Sequence, residues 1–198
     1  MFSLTPRSLP SRIAEPLGRA LAKTGLTPNM ITALGLAGAL GASVLIARGQ
    51  FLAGGVVMLA AAALDMLDGL LARATGRATT FGGILDSLAD RLSEAAVLGG
   101  VLFYFSSRGE REETILVFAA MVGSLLVSYV RARAEAAGLQ LRDGLFTRPE
   151  RVIVLGVGLL IDQMRIVLWI LAVLTNLTVL ERLVAVWRQL RGRQAGEP

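Results

Sequence analysis

The 198-residue chain contains neither cysteine nor histidine. Disulfides, thiolate metal sites, cysteine nucleophiles and the imidazole base are excluded together, so any acid–base or metal chemistry must use carboxylates. A continuous basic stripe is also missing. Formal net charge is +5, with Lys+Arg 20 against Asp+Glu 15, but the basic residues cluster between long apolar runs. That pattern serves loop anchoring and speaks against nucleic-acid binding. The first 25 residues hold several charges and three prolines without a continuous apolar stretch, so nothing there reads as a cleaved leader. No internal repeat or low-complexity segment interrupts what reads as a single domain over 1–198.

Apolar side chains are abundant. They make up 54% of the chain, mean hydropathy is +0.63, and a soluble core of this length has no room for them. The expectation is an all-α, polytopic membrane protein. Apolar stretches at 24–47, 49–64, 95–107, 114–130, 152–161 and 166–180 become long enough to span the bilayer, in most cases, when the helix continues through its charged flank. Six transmembrane helices are predicted near 28–47, 51–74, 82–107, 112–138, 148–163 and 166–188, followed by a basic tail at 189–198. Thr147, Pro149 and Glu150 supply a capping pattern for the fifth. Gly35/Ala39 and Gly38/Ala42, small residues four apart, favour close helix contact. Residues 2–22 place Leu9, Ile13, Leu17 and Leu21 four apart, with Arg12, Arg19 and Lys23 on other faces. This suits a helix lying in the membrane interface, or a plain solvated amphipathic helix.

If six helices cross in sequence, all of the 20 basic residues except Arg48, Arg108, Arg111 and Arg165 fall on the side of the N-terminus. The positive-inside rule then puts both termini at the cytoplasm of a multi-pass cell-membrane protein.

The chemistry is concentrated between Asp65 and Asp90. Asp65 and Asp68 are i,i+3 on the second helix, while Gly82, Asp86 and Asp90 are i,i+4 on the third, so each pair of carboxylates shares a helix face. A short turn near 75–81 makes the two helices antiparallel neighbours, with Asp68 opposite Asp86 and Asp65 opposite Asp90. Four carboxylates form an oxygen-rich cage suited to Mg²⁺ or Mn²⁺ rather than zinc or copper. Aspartates that were merely exposed helix ends would oppose insertion by roughly 10–14 kcal/mol together if deep, and less near the interface. Only Arg73, Arg77 and Arg91 are close in sequence to neutralise them. Gly69 and Gly82 remove side chains where a ligand would meet the helix surface, and Arg73 can pair with a phosphate.

The pattern Asp-x2-Asp-Gly-x2-Ala-Arg-x8-Gly-x3-Asp-x3-Asp resembles the signature of the CDP-alcohol phosphotransferases. Asp65, Asp68, Gly69, Ala72, Arg73, Gly82, Asp86 and Asp90 fill every fixed place. The resemblance implies six transmembrane helices, commonly a homodimer, and a cytoplasm-facing cavity with two metal ions. It implies that Asp65, Asp68 and Asp86 ligate the first ion, that Asp68, Asp86 and Asp90 surround the second, and that Asp90 is the general base. Gly69, Arg73 and Thr79 are implied contacts to the CDP moiety, and Leu-Thr-Pro-Asn-Met-Ile-Thr adds Pro28, Asn29, Met30 and Ile31. Without the resemblance, that stretch reads as a helix start.

Residues 128–139 and 147–153 resemble the corresponding segments of phosphatidylinositol phosphate synthases, as does Asp-Ser-Leu-Ala-Asp-Arg at 86–91. The implied reaction moves a phosphatidyl group from CDP-diacylglycerol to a polyol phosphate, 1D-myo-inositol 3-phosphate (also called L-myo-inositol 1-phosphate), with release of CMP. Arg131, Arg133 and Arg151 would form a pocket for the acceptor phosphate, with Arg148 supporting the loop and Glu135 and Glu150 orienting the arginines. Arginines at helix ends also serve topology and snorkelling. Glycerol 3-phosphate is the alternative acceptor. A small cation transporter, the reading from another class, predicts ion flux without CMP release.

Overall fold

A computed structural model describes residues 25–76, 78–141 and 144–195. The expected interfacial helix at 2–22 lies outside the described residues. The described residues form six α-helices in order: α1 Pro28–Ala47, α2 Phe51–Ala74, α3 Thr80–Ser107, α4 Arg111–Ala136, α5 Arg148–Ile161 and α6 Met164–Ala195. Local chemistry sets their ends. Thr27 caps α1 by accepting from the Met30 N–H at 3.3 Å, and Pro28 fits the first turn because its missing N–H would have no intrahelical partner there. Thr79 caps α3 in the same way, accepting from Gly82 N–H at 3.0 Å. After α2, Gly76 takes φ +63, a left-handed conformation that ends the helix and starts the turn into α3.

The helices alternate in direction, so that residues far apart in sequence meet at one end of the bundle. Thr32 near the start of α1 touches Asp68 near the end of α2. Arg148 at the start of α5 touches Asp65 and Asp90. Glu181 and Gln189 on α6 accept from Leu145 and donate to the Gln140 carbonyl, tying the final helix to the segment before α5. At the opposite end the Arg108 guanidinium sits 3.7 Å from the Tyr104 ring centroid, and Arg165 pairs with Glu112 and Glu113.

Packing departs from expectation in one respect. Neither aspartate-bearing helix lies along the other; both pack extensively on α1, while α2 also packs on α5, and α4 packs on α6. Small residues allow this. A Cβ at Gly38 would come within 2.9 Å of the Ala61 Cβ, and one at Gly100 would run into the Ser43 carbonyl, so α1 approaches α2 and α3 more closely than larger side chains would permit. Ser43 Oγ also donates to the Ala96 carbonyl at 2.6 Å. The core between the helices is built from Ala39, Ala42, Ile46, Val97, Val101, Leu168 and their neighbours. Large apolar side chains such as Leu34, Val44, Leu52, Phe103, Ile115 and Trp169 stay about half exposed or more on the outside, as a hydrocarbon solvent favours.

By length and composition, α1, α2, α4 and α6 are each able to cross a membrane. The third helix carries Asp86, Asp90 and Arg91 in its first half and Glu94 at its middle, and the fifth has 14 residues, about 21 Å of rise. α6 also continues past 188, so that the first part of the expected tail is helical.

Candidate active site

The site is assembled from α1, α2, α3 and α5. On α2, the i,i+3 spacing turns Asp65 and Asp68 toward the same cleft. On α3, Asp86 and Asp90 do so at i,i+4. Asp65, Asp68 and Asp86 each offer a carboxylate oxygen, and these oxygens all lie within 4.8 Å of one another. The α1 contribution is Thr32, whose hydroxyl donates to Asp68 Oδ2 at 2.5 Å in a buried setting. Gly35 on α1 keeps the space beside Asp65 open, since a Cβ there would sit 3.3 Å from Asp65 Oδ1.

The fourth aspartate is held differently. Arg148 places Nη1 2.6 Å from Asp90 Oδ1 and Nη2 3.0 Å from Asp65 Oδ2, bridging one carboxylate of each helix. Its position follows from the helix start. Pro149 occupies the first turn of α5, and the Glu150 carboxylate accepts from both the N–H and the hydroxyl of Thr147. One turn further, Arg151 is 2% exposed, and its Nε and Nη2 donate to the two oxygens of Glu94 at 2.6 and 2.9 Å. Ser124 on α4 donates to the same Glu94 at 2.9 Å, so this buried network joins α3, α4 and α5 beneath the aspartates. Among the described residues, no cation lies within 4.0 Å of Asp68 or Asp86.

An all-oxygen donor set from two helices, free of nitrogen and sulfur, fits a hard divalent cation such as Mg²⁺ or Mn²⁺. Carboxylates this close without a cation between them repel, which makes a bound ion the simplest source of balance. Beside them, Asp65, Ser93, Glu94 and Arg148 line a pocket of about 380 Å³, counting the space open to solvent, whose apolar floor includes Ala39, Met58 and Val97.

The expected nucleotide contacts gather at the edge of this cleft. A Cβ at Gly82 would lie 3.0 Å from Thr79 Oγ1 and 3.4 Å from Asn29 Oδ1, so the starts of α1 and α3 meet there. Arg73 folds back along α2, its Nη1 3.5 Å from where a Gly69 Cβ would stand, so that a guanidinium lies over bare backbone. Arg73, Thr79, Asn29 and Met30 are exposed and Pro28 is half-buried, whereas Ile31 is 3% exposed and belongs to the core.

The three arginines expected around an acceptor phosphate have different surroundings. Arg131 is exposed and pairs with Glu135 at 2.9 Å, as expected for Glu135, and Arg133 is exposed on the last turn of α4. Arg151 is buried against Glu94, and Glu150 serves the Thr147 cap rather than an arginine. Four residues of the site were missed from sequence: Thr32, Glu94, Ser124 and the Arg148 bridge. Glu94 had a signal, since it stands four after Asp90 and eight after Asp86 on the same face. Arg148 corrects the expectation that only Arg73, Arg77 and Arg91 were placed to neutralise the aspartates, and that Arg148 itself served the loop.

Comparison with known proteins agrees with the signature. The chain is 37% identical to phosphatidylinositol phosphate synthase of Mycobacterium marinum over 189 residues, covering 89% of this chain and 80% of the relative. It is 38% identical over 178 residues to archaetidylinositol phosphate synthase of Pyrococcus horikoshii, covering 89% and 92%. Its fold matches crystal structures of Mycobacterium tuberculosis phosphatidylinositol phosphate synthase. The match to the CDP-DAG-bound form has a TM-score of 0.82 at 35% identity, covering 89% of this chain and 94% of that one. The match to the complex with manganese and citrate has a TM-score of 0.82 at 34% identity, covering 88% of each. The sequence pattern of CDP-alcohol phosphatidyltransferases matches residues 25–188, and the chain belongs to that family.

Proposed function

We propose that this protein transfers a phosphatidyl group from CDP-diacylglycerol to a hydroxyl of 1D-myo-inositol 3-phosphate, releasing CMP, as a six-span protein of the cell membrane with its active site facing the cytoplasm. The observation that carries the reading is the meeting of Asp65, Asp68 and Asp86 within 4.8 Å, on two helices that bear the family signature. The names of the relatives support the inositol phosphate acceptor over glycerol 3-phosphate. Support for the orientation comes from the clustering of basic residues on the side of the aspartates.

Asp65, Asp68 and Asp86 would hold one divalent ion, and Asp68, Asp86 and Asp90 a second. Bound there, such ions neutralise the pyrophosphate and stabilise the charge that develops on departing CMP. The remaining work falls to the chain. Asn29, Thr79, Gly69 and Arg73, with the backbone of 28–31, orient the cytidine and phosphates at the mouth of the cleft. Asp90 accepts the proton of the acceptor hydroxyl as its oxygen bonds to the lipid-bearing phosphorus and the bond from that phosphorus to CMP breaks. A carboxylate is a weak base in water, so its placement beside the acceptor must contribute most of its effect. Arg131 and Arg133 draw the acceptor phosphate. Arg151 joins them only by leaving Glu94, and otherwise braces α5.

The test supplies purified protein with CDP-diacylglycerol and Mg²⁺ or Mn²⁺, adds 1D-myo-inositol 3-phosphate, free inositol, glycerol 3-phosphate or serine in turn, and follows CMP. Release with the inositol phosphate, abolished by chelator, is expected. A parallel set with CDP-archaeol decides whether the donor is an ether lipid. No CMP above background with any acceptor would reject the enzyme, and release with glycerol 3-phosphate alone would reassign its acceptor.

A further inference from the structure

The proposed cation site already contains a positive charge. Arg148 spans the cleft between α2 and α3, one nitrogen on Asp65 and the other on Asp90, at 3.0 and 2.6 Å. Asp65 is nearly buried, its side chain 8% exposed, so the contact is little screened by water. We propose that Arg148 is a built-in counter-cation of the site, which holds Asp65 and Asp90 together before loading and competes with the divalent ions for these two carboxylates. The inference rests on the metal-site reading given above.

Three observations carry it. First, Arg148 pairs with carboxylates from both helices at once, hydrogen-bonding Asp65 and forming an ion pair with Asp90, the same role a bridging metal ion would have, and α2 and α3 do not brace each other along their lengths. Second, the anchor of this side chain is fixed. Pro149, the Thr147–Glu150 contacts and the buried Arg151–Glu94 pair hold the first turn of α5, so a displaced guanidinium can move without its helix. Third, there is somewhere for it to go: the Arg148 side chain is 32% exposed, and the pocket beside Asp65 and Ser93 is lined by Arg148 itself. Electrostatics sets the sign. A unit positive charge a few ångströms from the ligands lowers the affinity of a second cation there, and a guanidinium that occupies ligand oxygens must release them.

Binding of Mn²⁺ to the full chain in detergent, read as loss of the free-ion electron paramagnetic resonance signal, tests this without turnover. Arg148→Met should lower the Mn²⁺ dissociation constant by roughly tenfold. Arg148→Lys, a single point charge unable to bridge two carboxylates with a planar fork, should fall between Met and wild type. Thermal unfolding supplies the second readout. Without metal, Arg148→Met should melt below wild type, because the carboxylates have lost their counter-charge, and saturating Mn²⁺ should close most of that gap. Equal or weaker Mn²⁺ binding by Arg148→Met, or a melting gap that persists in saturating Mn²⁺, would overturn the inference and leave Arg148 a structural residue. Should Arg148→Met not fold, Arg148→Lys decides: binding no tighter than wild type overturns it. Failure of wild type and every variant to bind Mn²⁺ would instead remove the metal site on which it rests.

Discussion

Asp90 and Asp86 stand one turn apart on α3, yet the cleft treats them differently. Asp86 joins Asp65 and Asp68 in the compact oxygen cluster, while Asp90 is held by Arg148. In the proposed reaction, this carboxylate beside the cluster would take the proton of the acceptor hydroxyl. Asp90→Asn keeps the shape of the side chain and removes its basicity. Its CMP release should fall by about 10²–10⁴-fold or more, with binding of the CDP-lipid largely kept. Unchanged turnover would remove Asp90 as base. The eight signature residues, Asp65 through Asp90, were legible because they lie within one helix–turn–helix and their spacing alone fixes which side chains share a face. Thr32 and Arg148 were not, because their partners lie 36 and 83 residues away, and a threonine near a helix start or an arginine at a capped helix end has ordinary local uses.

At the scale of the helices, the sequence pattern gave boundaries close to those observed, because apolar runs, capping threonines and glycine stops are local signals. The relation between α2 and α3 was misjudged. A short turn makes two helices neighbours in the chain, but small residues on α1 let it pack against both, and the aspartate helices pack little on each other although their carboxylates converge. The Glu94–Arg151 pair is the brace that locates α5, and with it Arg148, against α3. Glu94→Gln leaves a buried guanidinium without its counter-charge, which should cost about 3–5 kcal/mol, measured as lowered stability to denaturant in detergent. A variant as stable as wild type would show that α5 is positioned by its apolar contacts alone. The pair also gives Arg151 a structural duty that its sequence neighbours, Pro149 and Glu150, do not reveal.

For the molecule as a whole, the six helices place polar function at one end and apolar surface around the sides. The end that gathers Thr32, the four aspartates, Glu94, Arg148 and Arg151 is polar, whereas the opposite end is closed by aromatic and ion-pair contacts among Phe51, Tyr104, Arg108, Glu113 and Arg165. The carboxylate cluster thus lies at one end of a bundle whose sides are apolar. In the proposed function, these acidic side chains surround hard cations against a CDP-lipid. Its most direct test is anomalous diffraction at the manganese edge from crystals grown with Mn²⁺ and CDP-diacylglycerol. Manganese peaks are expected between Asp65, Asp68 and Asp86, beside the pyrophosphate of the bound lipid. Manganese elsewhere, or the nucleotide bound away from an empty carboxylate cluster, would contradict it.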